Sequence, residues 1–156
     1  MSETVTDDIT IRRATAGDVA AIVALLADDE LGAARECPAD PLPYDRAFAD
    51  IDADPRQWLV VAEQDGRVIG TAQLTYIPGL SRRGGTRAQI EAVRISGTAR
   101  GSGLGSQLVG WCVDRAREHG CLLVQLTSDV SRLDAHRFYE KLGFEASHIG
   151  FKLRLR

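Results

Sequence analysis

A chain of 156 residues has the length of one domain, and a domain of that size buries about two-thirds of its unfolded surface, so residues 1–156 are expected to fold as a single domain. With 44% hydrophobic residues, 26% charged residues and a net charge of −3, the composition is ordinary for a globular protein and supplies no basic surface for nucleic acid. Cys37, Cys112 and Cys121 are odd in number and lack CxxC spacing, and His119, His136 and His148 form no ligand pattern, so neither a disulfide framework nor a metal site is expected.

The acidic start, MSETVTDDIT, shows no charged-then-apolar signal segment. No apolar run approaches the roughly 20 residues of a membrane span. These features together point to a cytoplasmic setting without a membrane partner. The mild excess of carboxylates suits a cationic small molecule slightly better than an anionic one.

Ile9 to Arg13 alternates as a first strand. Thr15 and Asp18 have capping-box spacing, with Asp in place of the usual Glu. Val19, Ile22, Val23, Leu25 and Leu26 then stripe a helix. Gly32 to Pro43 contains three prolines and reads as a loop, and Tyr44 to Ile51 as a short helix. Gln57 to Gln64 and Arg67 to Ile77 make a hairpin through Asp65-Gly66, a pair that accepts φ > 0. After the turn PGLSRRGGT, Arg87 to Ile95 completes a three-stranded antiparallel meander.

Leu104, Leu108, Trp111, Cys112 and Ala116 stripe a helix that stops at Gly120. Cys121 to Thr127 is an apolar run suited to a buried strand. Ser131 and Asp134 open a helix through Leu142, closed by Gly143, and GFEAS and GFKLRLR are candidate final strands. The order is β-α-α-β-β-β-α-β-α-β-β, a mixed α/β (α+β) domain without internal repeats.

Gly101, Gly103 and Gly105 alternate between a strand and a helix, directly after Arg100. Such a loop presents backbone N–H groups without intrahelical partners, in the positive potential of a helix N-terminus and with no Cβ in the way. The physical reading is an anion cradle suited to a diphosphate; the alternative is a flexible glycine turn. A P-loop needs GxxxxGK[ST], and no lysine follows these glycines. The dinucleotide fingerprint GxGxxG fits poorly, because the pattern here is GxGxG and lies beyond the strand end at Ile95.

RGSGLG after IEAVRI, followed by AHRFYEKLGF one strand and one helix later, closely resembles the GNAT superfamily of acetyl-CoA-dependent N-acetyltransferases. The family pattern [Q/R]-x-x-G-x-[G/A] is matched by Arg100, Gly103 and Gly105, and Tyr139 to Phe144 matches a second family segment. The resemblance spans nearly the whole chain. It implies a GNAT fold, a central mixed, mostly antiparallel sheet flanked by helices, with acetyl-CoA as cosubstrate in a gap between the fourth and fifth strands. By that resemblance Gly101, Ser102, Gly103, Leu104, Gly105 and Ser106, with Arg100, hold the diphosphate. Val93, Arg94 and Ile95 would then run beside the pantetheine arm as a strand accepts an added strand.

Acetyl transfer to an amine needs a proton acceptor for the amine, a donor to the oxyanion and an acid for the departing thiolate. Glu91 is the candidate base. Strand alternation puts it on one face with Val93 and Ile95, where burial would raise its pKa; the alternative is a solvent-facing glutamate. By resemblance, polyamine-type members carry a glutamate nine positions before the motif arginine, and Glu91 stands so before Arg100. Tyr139 is the candidate acid, since the family segment puts its tyrosine near the CoA sulfur; the alternative is a core tyrosine with a satisfied hydroxyl. The N–H of Ile95 or a neighbour is the candidate oxyanion donor.

Many relatives have asparagine seven residues before that tyrosine, where this chain has Arg132, which reaches either a CoA phosphate or water. His148 reads as a surface histidine, Trp58 and Trp111 as core residues. No cysteine sits at either motif, which disfavours a thiol relay. The expectation is direct transfer to a small primary amine in a ternary complex, with no metal. A protein lysine or N-terminus as acceptor and a non-catalytic CoA-binding sensor are the alternatives. A homodimer is implied by the resemblance, with modest support from the apolar tail IGFKLRL.

Overall fold

The structure, a computed structural model, describes residues 8–156; the acidic start at 1–7, read above for targeting signals, lies outside the described residues. Two compact units divide the chain, Met1–Gln125 and Leu126–Arg156.

The first unit is built on one sheet of five strands in sequence order: β1 (Thr10–Arg13), β2 (Gln57–Gln64), β3 (Arg67–Ile77), β4 (Arg87–Ile95) and β5 (Leu123–Gln125). Neighbours run antiparallel except β4 and β5, which are parallel. The β2–β3 turn is made by Asp65 and Gly66, both at positive φ (51° and 75°), as the Asp-Gly pair predicts. Between β1 and β2 come α1 (Val19–Leu26), α2 (Glu30–Arg35) and α3 (Leu42–Ala53). Two helices were expected there and three form. The expected loop from Gly32 holds most of α2, because Asp29 caps it by accepting from the Gly32 N–H at 2.5 Å. Helix α4 (Leu104–Glu118) follows β4.

Residues directly opposite across a sheet share a face. On one face Trp58, Leu74 and Ile90 align across three strands, and Gly70 faces Ile95. α4 packs here with Leu104, Leu108, Cys112 and Ala116 all buried, as its apolar stripe predicts. Gly70 permits the close approach: a Cβ there would lie 2.9 Å from a Leu108 methyl. Trp111 meets Trp58 edge-to-face at 5.6 Å, and both are half-buried. Desolvation in this core pushes the Cys112 thiol up to about 12, so it remains a packing group. The other face is apolar at the β1–β2 side, where Ala14 and Val61 pack against Ile22 with Leu26, Phe48 and Leu59 around them.

The turn into α1 is held by Asp18, whose carboxylate accepts from the Thr15 N–H (2.8 Å) and hydroxyl (3.1 Å) and from both terminal nitrogens of Arg12 (2.7 and 3.0 Å). Hydrogen bonding to Arg12 outweighs burial and holds Asp18 at a pKa of about 2.

The second unit contains α5 (Leu133–Lys141), closed by Gly143 at φ 96°. Tyr139 packs edge-to-face with Phe138 (5.0 Å) and Phe144 (5.8 Å). The two final strands expected from GFEAS and GFKLRLR do not form: residues 144–156 join no ladder, and Ile149, Phe151, Leu153 and Leu155 are 81–92% exposed. Alternation makes a segment fit for a strand, but a strand also needs an edge to pair with.

Candidate active site

Pairing of β5 with β4 covers only Arg87 to Gln89. Beyond Gln89, β4 has no strand on that side, so the main chain of Val93, Arg94 and Ile95 runs along an open edge of the sheet. On its other side the strand stays anchored, ending with the Ser96 N–H on the Ile69 carbonyl at 2.8 Å.

A single turn of 3-10 helix, Gly97–Ala99, leads to Arg100, and Gly101 and Gly103 follow at φ 78° and 85°. Such angles favour glycine. A Cβ at Gly97, Gly101 or Gly103 would meet nothing within 4 Å, so the loop is open to an approaching group. Gly103 is the N-cap residue of α4, and Gln107 makes the first helical hydrogen bond, to the Gly103 carbonyl at 3.1 Å. The N–H groups of Leu104, Gly105 and Ser106 therefore belong to the first turn, which has no helical acceptors for them. Ser102 closes the loop, its hydroxyl on the Ala99 carbonyl at 2.5 Å. Open edge, bare loop and unsatisfied first turn are contiguous, and together they fit an extended ligand ending in a diphosphate.

Two ion pairs tie this region to the α1–α2 connection. Arg94 Nε lies 3.3 Å from Asp29 Oδ2, and Arg100 lies 3.6 Å from Asp28. The Asp29 carboxylate thus caps α2 with one oxygen and meets β4 with the other. A Cβ on Gly32 would fall 1.7 Å from the Leu26 carbonyl oxygen, so only glycine permits this cap geometry. No local pattern in the sequence announces partners so far along the chain for Asp28 and Asp29.

Glu91 corrects an expectation. The register steps from Gln73–Glu91 to Thr71–Arg94, which inserts one extra residue in β4. Ala92, at φ 54°, is that bulge. It moves Ile95 to the α4 face and leaves Glu91 and Arg94 together on the opposite face. Glu91 is exposed, so it is neither buried nor aligned with Val93 and Ile95 as strict alternation had it.

Tyr139 and Arg132 stand in the second unit. Tyr139 is half-buried among the rings described above. Arg132 is exposed just before α5, beside an open cleft of about 530 Å³ that Ser131 and Arg137 also line. The preceding turn is held by Asp129, which accepts from the Ser131 hydroxyl at 2.6 Å and N–H at 2.9 Å; those bonds lower its pKa. His148 is exposed, its Nδ1 2.6 Å from the Ser147 hydroxyl. Among the described residues no cluster of three or more His, Cys, Asp or Glu is placed to hold a metal ion, and no helix is long and apolar enough to cross a membrane.

Comparison with known proteins identifies a family and its fold. A family model described as the acetyltransferase (GNAT) family matches residues 20–144. The aminoalkylphosphonate N-acetyltransferase of Salmonella typhimurium is 29% identical over 144 residues, covering 90% of this chain and 88% of that protein. The glucosamine 6-phosphate N-acetyltransferase of Trypanosoma brucei brucei is 38% identical over 90 residues, 58% of this chain and 59% of that one. Among solved structures, a protein from Bacillus halodurans C-125 described as a transcriptional regulator superposes with a TM-score of 0.92 at 49% identity, covering 95% of this chain and 100% of its own.

Proposed function

The chain belongs to the GNAT acetyltransferase family, and from that premise we propose that it moves the acetyl group of acetyl-CoA directly onto a primary amine of a small molecule. The observation that carries the reading is the continuity of the open β4 edge with the glycine loop. The edge accepts the pantetheine arm through main-chain hydrogen bonds, and the first-turn amides and Arg100 take the diphosphate. Both relatives named above bear names with a small amine as acceptor.

In this reading Glu91 takes a proton from the acceptor ammonium, directly or through water. An alkylammonium has a pKa near 10.4, so presenting it neutral at pH 7 costs on the order of 4–5 kcal/mol. The freed nitrogen attacks the thioester carbonyl. A backbone N–H near Ile95 meets the oxyanion, and Tyr139 gives its proton to the leaving sulfur as the C–S bond breaks. The nitrogen sheds its remaining extra proton to solvent. Glu91 is exposed at an open edge, which gives an amine access to it.

The test pairs binding with turnover. Acetyl-CoA raises the melting temperature and NAD and ATP do not, because only a ligand of the folded state stabilises it by mass action. An amine panel then releases CoA thiol. Protection without thiol release on any small amine or peptide identifies a sensor. Release on lysine peptides alone identifies a protein acetyltransferase. A cytoplasmic homodimer joined through the unpaired tail completes the proposal; a monomer by light scattering at micromolar concentration removes the dimer and leaves the chemistry standing.

A further inference from the structure

On the sheet face opposite α4, side-chain chemistry changes partway across. Leu59 and Val61 are apolar beneath α1 and α3. Two residues further back along the strands, Gln57, Thr75, Gln89 and Gln125 stand in one register row across β2, β3, β4 and β5. Gln57 Oε1 accepts from the Thr75 hydroxyl at 2.8 Å and from Gln73 Nε2 at 2.9 Å. Gln89 Oε1 accepts from Gln125 Nε2 at 3.0 Å. Gln73 faces Glu91 directly in the next row. All five side chains are half-buried, whereas Glu91 is exposed.

A solvated sheet face ordinarily carries mixed charges. The members of this row are neutral and hydrogen-bond to one another, which orients their amides; one cation borders it, Arg87, whose guanidinium donates to Gln125 Oε1 at 3.3 Å. The amides keep donors and acceptors to spare, since each has two N–H groups and a carbonyl with two lone pairs. The row lies about 7 Å from Glu91 along β4, on the side away from the glycine loop, and spans about 14 Å across the strands. It is a floor of amide hydrogen-bonding groups beside the candidate base, with Arg87 at its β5 end.

We infer that this floor holds the body of the acceptor and that the acceptor is a hydroxyl-rich primary amine of the amino-alditol or amino-sugar class. The inference rests on the acetyltransferase reading and deepens it. With the amine at Glu91 and the acetyl donor on the loop side, the rest of the acceptor extends over Gln73, Gln89 and Gln125. Neutral amides there match hydroxyl groups. An alkyl chain would leave them desolvated and unpaired, which sites built for hydrogen bonding reject.

The experiment compares D-glucamine with n-hexylamine, its hydroxyl-free counterpart, at saturating acetyl-CoA across several pH values to correct for the neutral-amine fraction. The wild type prefers D-glucamine by tenfold or more in kcat/KM. Gln73→Leu and Gln89→Leu each cut kcat/KM for D-glucamine about tenfold, the factor for one lost hydrogen bond, through KM. They leave the acetyl-CoA KM unchanged and raise the use of n-hexylamine, because the amide that an alkyl chain would desolvate is gone. Equal use of the two amines by the wild type overturns the inference while keeping the acetyltransferase reading. An unchanged preference in both variants, or an equal loss on both amines, overturns it too. No thiol release on any amine, with acetyl-CoA still protecting the fold, overturns the reading itself and the inference with it.

Discussion

The two faces of the central sheet were given different amounts of cover. The α4 face is apolar across three strands and closed by a helix whose buried residues include Leu104, Leu108 and Cys112. The opposite face is apolar under α1 and α3 and then turns to amides and Glu91. Covered backbone must bury its side chains, and uncovered backbone is free to carry chemistry. One inserted residue, Ala92, lets a single strand serve both, since it sends Ile95 to the finished face and keeps Glu91 and Arg94 on the open one. Disturbing each face in turn should separate folding from function.

The largest expected effect is on the open face. Glu91→Gln removes the proposed base and should lower kcat by about 10²–10⁴ at neutral pH, equivalent to about 3–5 kcal/mol of barrier, with the melting temperature unchanged. The loss shrinks as pH rises towards the amine pKa, because more substrate arrives neutral. Tyr139→Phe costs a similar factor without that rescue, since high pH supplies no acid for the sulfur. A kcat–pH profile of wild type and both variants decides it; parallel mutant profiles would show that the roles are assigned wrongly.

Leu74→Ala breaks the closed face instead. Leu74 is fully buried opposite Trp58 and Ile90. Its truncation costs about 2–5 kcal/mol in urea unfolding. At a temperature where the variant is folded, its KM values stay those of the wild type. A matching rise in the acetyl-CoA KM would show that the two faces are not independent.

Features with a local cause were legible in the sequence. Asp65-Gly66 dictates its own turn, the stripe from Leu104 to Ala116 its own burial, and the glycines after Arg100 their own bare loop. Features set by register or by distant partners were not. Alanine carries no signature of positive φ, so nothing marked Ala92 as a bulge, and strict alternation aligned Ile95 with Glu91 on one face. Gly32 read as a loop residue until Asp29 was seen to cap α2 over it. Gln57, Gln73, Gln89 and Gln125 appear as unrelated alternating polar residues until the strands are aligned. The tail from Ile149 to Leu155 has the period of a strand and no partner within the residues that precede it in its unit.

The turn into α1 gives a smaller effect that belongs to neither face. Asp18 has a folded pKa of about 2, below the usual 3.8. A depressed carboxylate pKa stabilises the fold fully above about pH 4 and loses that contribution as pH falls towards 2, about 2 kcal/mol in all. Unfolding free energy measured across that window should fall more steeply for the wild type than for Asp18→Asn, so the gap between them closes in acid. A gap constant with pH would mean that Asp18 acts through packing alone.

The smallest effect bears on how the open edge meets its ligand. Arg100 and Asp28 are both more than half exposed and 3.6 Å apart, a geometry worth at most about 1 kcal/mol to the fold. If Arg100 holds the diphosphate as proposed, Asp28 occupies the charge that acetyl-CoA would need and competes with it. Asp28→Asn should leave stability within about 0.5 kcal/mol of the wild type yet tighten acetyl-CoA binding about two- to fivefold. The gain should vanish in an Arg100→Ala background, because the competition acts only through that guanidinium. It should also shrink at high salt, where screening weakens the exposed pair. Titration calorimetry on the two single variants and the double variant measures all of this. Tighter binding that persists without Arg100 would mean that Asp28 repels the diphosphate directly and the ion pair is incidental. Unchanged affinity in Asp28→Asn would mean that Arg100 turns towards its ligand without having to leave its carboxylate.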